Sequence, residues 1–160
     1  MKYNDCDLVY KDNIILCIKQ HSKKEIITML SGLLKKSKIV TDSKKFMDAV
    51  YDREIRGSTY CGDYLALPHG SSDCVTKPSV AIAKMKYAVP WDENGNLVKL
   101  VIMLVIPKAT KMEEESEVLK MVASSLGDRK FVKQLLNSNT KESLIELINN
   151  CLNDSMRSQK

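Results

Sequence analysis

The sequence predicts an α/β layered domain, a mixed β-sheet flanked by helices on both faces. Three observations lead there. Apolar runs of strand length, Asn13–Ile18, Ser79–Ala88 and Leu97–Ile106, alternate with stretches whose apolar residues recur at helical spacing. Leu97–Ile106 is the most apolar of the three and suits a central strand covered on both faces. Neither a linker nor an internal repeat divides the 160 residues, which are enough for a single domain with a sizeable core. That domain is expected over 1–153, with a polar, frayed C-terminal tail at 154–160.

Each element has a local reason. Met1–Lys11 is polar, with a short strand expected at Asp7–Tyr10, and the β-branched Asn13–Ile18 reads as a buried strand. Ser22-Lys23-Lys24-Glu25 has capping-box spacing and opens a helix whose apolar face is Ile26, Ile27, Leu30, Leu33 and Leu34. His21, just before it, reads as a surface residue. Thr41, Asp42 or Ser43 caps a second helix carrying Phe46, Met47, Val50 and Tyr51, and Gly57 is a natural stop for it. Arg53 and Arg56 fall in its last turn, where cations favour the helix dipole. Ser58–Leu67 reads as extended segments with a turn at Gly62-Asp63, and Val89–Asn96 as a loop. Three helices close the chain: Glu113–Leu126, a short one around Phe131–Leu136, and one capped by Thr140 that uses Leu144, Ile145, Leu147 and Ile148.

Composition narrows the function. The formal charge of +5 fits solvated lysine-bearing helix faces or an anionic partner, but aromatics do not interleave with the basic residues as a nucleic-acid surface wants. No apolar run approaches the ~20 residues of a spanning helix, and the start has no apolar signal segment. The five cysteines are odd in number and lack CxxC spacing, which fits reduced thiols in a cytoplasm. Two histidines make a His-rich metal site improbable.

The stretch that carries chemistry is Asp52–Gly70, DREIRGSTYCGDYLALPHG. Its Pro68-His69-Gly70 end suggests a strand, Tyr64–Leu67, delivering an imidazole to a sharp corner. A neutral imidazole has one nitrogen free to attack, and its ordinary pKa lies near neutrality, so His69 is a candidate covalent nucleophile. A guanidinium matches phosphate oxygens with paired planar donors, which makes Arg53 the candidate phosphoryl stabiliser. The hydroxyls of Ser58 and Thr59 and backbone amides near Gly70 are candidate auxiliary donors.

Arg53-Glu54, Gly57-Ser58-Thr59, Gly62 and Leu65-Ala66-Leu67-Pro68-His69-Gly70 together resemble the active-site signature of enzyme IIA domains of the bacterial phosphotransferase system (PTS), in the fructose/mannitol/galactitol (type 2) family. The resemblance implies a mixed sheet flanked by helices, with His69 phosphorylated in a shallow depression at a strand end. It implies a cytoplasmic phosphoryl-relay component that takes phosphate from the carrier HPr and passes it to a IIB component. A membrane IIC component is served indirectly, and no metal or cofactor is required. The alternative is a regulatory phosphoacceptor of the same family, binding other proteins according to its phosphorylation state. An unrelated small binding protein, with Pro-His-Gly as a mere turn, is the third reading.

The chain departs from the family pattern in places. Many members carry a second histidine near the position of Glu115, within the acidic Glu113–Glu117 segment. That cluster also suits a helix N-terminus. Tyr60 and Tyr64 stand where glycine is usual in the family. The Ser58–Gly62 run looks mannitol-like and the strand Lys99–Pro107 fructose- or galactitol-like, so the sugar stays open.

Overall fold

The computed structural model describes residues 8–20, 22–108 and 120–157. Its strands are β1 (Val9–Ile18), β2 (Tyr60–Gly62), β3 (Leu65–Ala66), β4 (His69–Ser72), β5 (Ser79–Pro90) and β6 (Leu97–Pro107). They form one six-stranded sheet in the order β1-β5-β6-β3-β2, with β4 also paired to β6. β1 runs parallel to β5, and β3 and β4 run parallel to β6. The β5–β6 and β2–β3 pairs are antiparallel. The sheet is therefore mixed, and β6 lies at its centre as expected.

Period-two alternation sorts the side chains of β5 and β6 to two faces. Ala81, Ala83, Met85, Val101, Met103 and Val105 join the core under α1 (Lys23–Lys36) and α2 (Ser43–Glu54). Val80, Ile82, Leu100, Ile102 and Leu104 join a second core under α3 (Arg129–Asn137) and α4 (Lys141–Arg157). A strand apolar on both faces reads as one continuous run, which is why Leu97–Ile106 looked central.

Three caps are ones the sequence offered, and Asp128 adds a fourth. The Ser22 hydroxyl accepts from Glu25 N at 3.1 Å, and Asp42 takes the cap of α2 by accepting from Lys45 N at 3.1 Å. Asp128 accepts from Lys130 N at 2.9 Å at the head of α3, and Thr140 accepts from Ser143 N at 3.1 Å at the head of α4. Each gives one orphan amide of a first turn a partner.

Several boundaries differ from expectation. The two N-terminal strands are one, β1, whose pairing with β5 shifts register between Val9 and Ile14, where Lys11 and Asp12 are exposed. β5 runs on to Pro90 past a register shift between Lys84 and Val89, so the loop before β6 is shorter. α4 continues to Arg157, because nothing in Asn153–Arg157 breaks a helix. The expected helix at Glu113–Leu126 is described from residue 120, helical to 125, with Val122 and Leu126 buried. Asp7, His21, Glu115 and residues 158–160 lie outside the described residues.

Candidate active site

β3 and β4 are two pieces of one line along β6. Leu65 lies opposite Leu100, Ala66 opposite Val101, and after a gap His69 lies opposite Leu104, with the register unbroken. Pro68 makes the gap, since it has no N–H for the ladder, yet its carbonyl still accepts from Leu104 N at 2.9 Å. His69 therefore opens a strand instead of following one. The chain does not turn a sharp corner at Pro-His-Gly; it skips two rungs and continues.

Gly70 has a different reason from the one its sequence suggested. Its φ is not positive. A Cβ built there would sit 2.9 Å from Val50 Cγ2 and 3.1 Å from Phe46 Cε1, so only glycine lets α2 lie this close to β4. Lys45 pairs with Asp73 at 2.6 Å further along the same contact. Lys45 at Asp73 and Val50 at Gly70 mean that α2 runs antiparallel to β4. Arg53, one turn beyond Val50, is thereby carried to the level of His69.

The His69 ring is half-buried. Its Nδ1 is 3.1 Å from the Leu67 carbonyl oxygen. A carbonyl only accepts, so Nδ1 carries the proton and Nε2 keeps its lone pair. Arg53 Nη1 donates to the Gly57 carbonyl at 2.9 Å, and no hydrogen bond joins it to His69 among the described residues.

The two auxiliary hydroxyls are engaged. Ser58 Oγ donates to Asp92 Oδ2 at 2.7 Å. Asp92 also accepts from Asn96 Nδ2 at 2.9 Å, and these bonds hold its carboxyl below the usual carboxylate range. The buried Thr59 hydroxyl donates to Glu54 Oε1 and accepts from Trp91 Nε1 at 3.2 Å. Glu54 Oε2 accepts from Lys23 Nζ at 2.6 Å, and that amine stands 5.1 Å from the Trp91 ring centroid. The Thr59 carbonyl takes the Leu67 amide at 2.9 Å. Lys23, Glu54, Thr59 and Trp91 thus fix the end of α2 and the segment leading to His69. Sequence reasoning missed Lys23 and Trp91. The signal available was small: a lone tryptophan, and a glutamate next to the arginine. Among the described residues no three His, Cys, Asp or Glu side chains converge as metal ligands.

The family model described as "Phosphoenolpyruvate-dependent sugar phosphotransferase system, EIIA 2" matches residues 7–151. The mannitol-specific phosphotransferase enzyme IIA component of Geobacillus stearothermophilus is 29% identical over 145 residues, 89% of this chain and 95% of the relative. The PTS system fructose-specific EIIABC component of Bacillus subtilis is 26% identical over 144 residues, 89% of this chain, which spans only 22% of that relative. In a solved complex of enzyme IIAMTL and phosphorylated enzyme IIBMTL from Escherichia coli, the similar chain superposes with a TM-score of 0.72 at 25% identity, covering 89% of this chain and 99% of that one.

Proposed function

The chain belongs to the EIIA 2 family of the phosphoenolpyruvate-dependent sugar phosphotransferase system, and on that premise we propose that His69 is its phosphoryl-carrying residue. Its general role is that of a IIA component in a phosphoryl relay. HPr is the donor, a IIB component the acceptor, and a IIC component is served only through IIB. The observation that carries the assignment is the Nδ1 contact to the Leu67 carbonyl, which leaves Nε2 as the nucleophile.

The transfer balances on these atoms. The Nε2 lone pair attacks the phosphorus of the donor's phosphohistidine, a new N–P bond forms, and the donor's N–P bond breaks with its electron pair returning to the donor imidazole. His69 then carries the phosphoryl group on Nε2 and a proton on Nδ1, so its ring gains positive charge. The Leu67 carbonyl opposes that charge with its dipole. Passing the group to IIB reverses the bonds.

Arg53 supplies the charge for the equatorial oxygens. Its present acceptor, the Gly57 carbonyl, is neutral, and a phosphoryl dianion is a stronger one. The guanidinium moves to the phosphoryl group when it arrives. Ser58 is exposed and can follow it, whereas Thr59 acts by holding the segment in place. Gly70 contributes by its missing side chain, and the family's second histidine would fall at or near Glu115, which lies outside the described residues.

The test is incubation with phosphoenolpyruvate, enzyme I and HPr. The chain should gain the mass of one phosphoryl group, labile in acid and stable in base. His69→Ala should lose it and His21→Ala keep it. Label persisting in His69→Ala would overturn the assignment.

A further inference from the structure

Lys84 is out of place for an unpaired lysine. It lies on β5 on the α3–α4 face of the sheet, one position along from Ile82 in the alternation, and is only 9% exposed. Its Nζ donates to the Ser138 carbonyl at 2.5 Å and toward Asn139 Oδ1 at 3.4 Å, both neutral acceptors. Its third proton has no partner among the described residues, and neither does its charge. Burial first, and then the nearby charge of Lys99, push its pKa down from the ordinary lysine value. An ammonium in this setting is uncompensated.

Lys84 lines a cleft of about 430 Å³ between β1, the bulged part of β5, the start of β6 and the end of α3. Lys86 and Lys99 line it too, and among the described residues no carboxylate does. Leu16 and Leu136 give it apolar surface, and Asn137 adds an amide that donates and accepts. A buried amine, two exposed ones, an amide and an apolar wall form an anion site with room for an organic body. The size is that of a small-molecule pocket.

The cleft is separate from His69. Lys84 lies opposite Leu100 and His69 opposite Leu104, which is about 13 Å along β6 at the rise of a strand.

We propose that this cleft binds a small phosphate monoester, with the phosphate held by Lys84, Lys86 and Lys99 and the carbon body against Leu16, Leu136 and Asn137. The site stands independently of whether His69 carries a phosphoryl group. A ligand there would tie the sheet to the α3–α4 turn, and its affinity would fall as salt rises.

Isothermal titration of the full chain with fructose 1-phosphate, glycerol 3-phosphate, inorganic phosphate and fructose tests it. The esters should bind one per chain and more tightly than inorganic phosphate, and fructose should give no heat. Lys86→Gln and Lys99→Gln, both exposed positions, should each weaken the ester about tenfold, as loss of one charge-assisted contact does, without changing the melting temperature. His69→Ala should leave the affinity unchanged. No heat from either ester at about 10 mM, well above a millimolar Kd, would overturn the proposal. So would equal affinity for inorganic phosphate, intact affinity in the two lysine variants, or loss of binding in His69→Ala.

Discussion

His69 and Arg53 are prepared by hydrogen bonds of opposite consequence. In the proposed transfer, the bond from His69 to the Leu67 carbonyl is kept, because it selects the nitrogen that would react. In the same proposal, the bond from Arg53 to the Gly57 carbonyl is given up, because the guanidinium would turn to the phosphoryl group. That difference predicts the behaviour of Arg53→Lys. The ammonium keeps the charge and loses the planar fork that meets two phosphoryl oxygens at once. Phosphoryl transfer from HPr should slow about tenfold or more, the worth of one charge-assisted hydrogen bond of about 1.5–3 kcal/mol. Circular dichroism should be unchanged, since Arg53 makes no ion pair among the described residues. A wild-type transfer rate in this variant would remove Arg53 from the site.

At the scale of elements, the β2–β3 hairpin shows how a tight turn accommodates a bulky residue. Its two loop residues, Asp63 and Tyr64, have φ of 50° and 64°. Positive φ at both is the type I′ geometry that matches strand twist, and asparagine or glycine adopts it most easily. Tyrosine at the second position is strained, where glycine would not be. Tyr64→Gly should therefore raise stability by about 1 kcal/mol, seen as a higher urea midpoint at the same slope. Tyr64 is 51% exposed, so little packing is lost in exchange. An unchanged or lower midpoint would show that the ring contributes more than its backbone costs. The sequence placed this turn one residue early, at Gly62-Asp63, because glycine draws the eye; Gly62 instead sits at a register irregularity of β2.

Across the whole molecule, one polar network joins parts that are far apart in sequence. Lys23 heads α1, Glu54 ends α2, Thr59 precedes β2 and Trp91 follows β5. Glu54 is 5% exposed at its side chain and Lys23 23%. Glu54→Gln removes the charge partner of a partly buried ammonium, a change of about 1–3 kcal/mol once the exposure of Lys23 is discounted. A thermal melt should show the loss, and transfer through His69 should slow as well, because the end of α2 that is loosened also steadies the Thr59 segment, whose carbonyl takes the Leu67 amide. A lower melting temperature with an unaltered transfer rate would confine the network to stability.

The same long range explains what could be read from the chain. The caps of α1, α2 and α4 and the two-faced strand β6 were legible because local spacing and residue type specify them, and the same spacing singles out His69 and Arg53 as candidates. The Lys23–Glu54 and Thr59–Trp91 contacts were not, because they depend on how α1, α2 and the β5–β6 loop meet. Gly70 was legible as an essential glycine but for the wrong reason: close approach by α2 leaves no mark on its own sequence neighbours. The straight continuation of β3 into β4 was hidden by Pro68, whose local signal is a break.

That continuation has a consequence for when the protein becomes active. His69 is held in line by rungs to β6, which leaves the ribosome only after β4 and β5 have been made. Closing this parallel pairing means closing a long loop and carries the entropic cost of distant contacts. A nascent chain that has exposed its Pro-His-Gly but not yet Leu97–Pro107 lacks the strand that orders His69. Unfinished and truncated chains would then not draw phosphoryl groups from the relay, and phosphorylation would report completed folding.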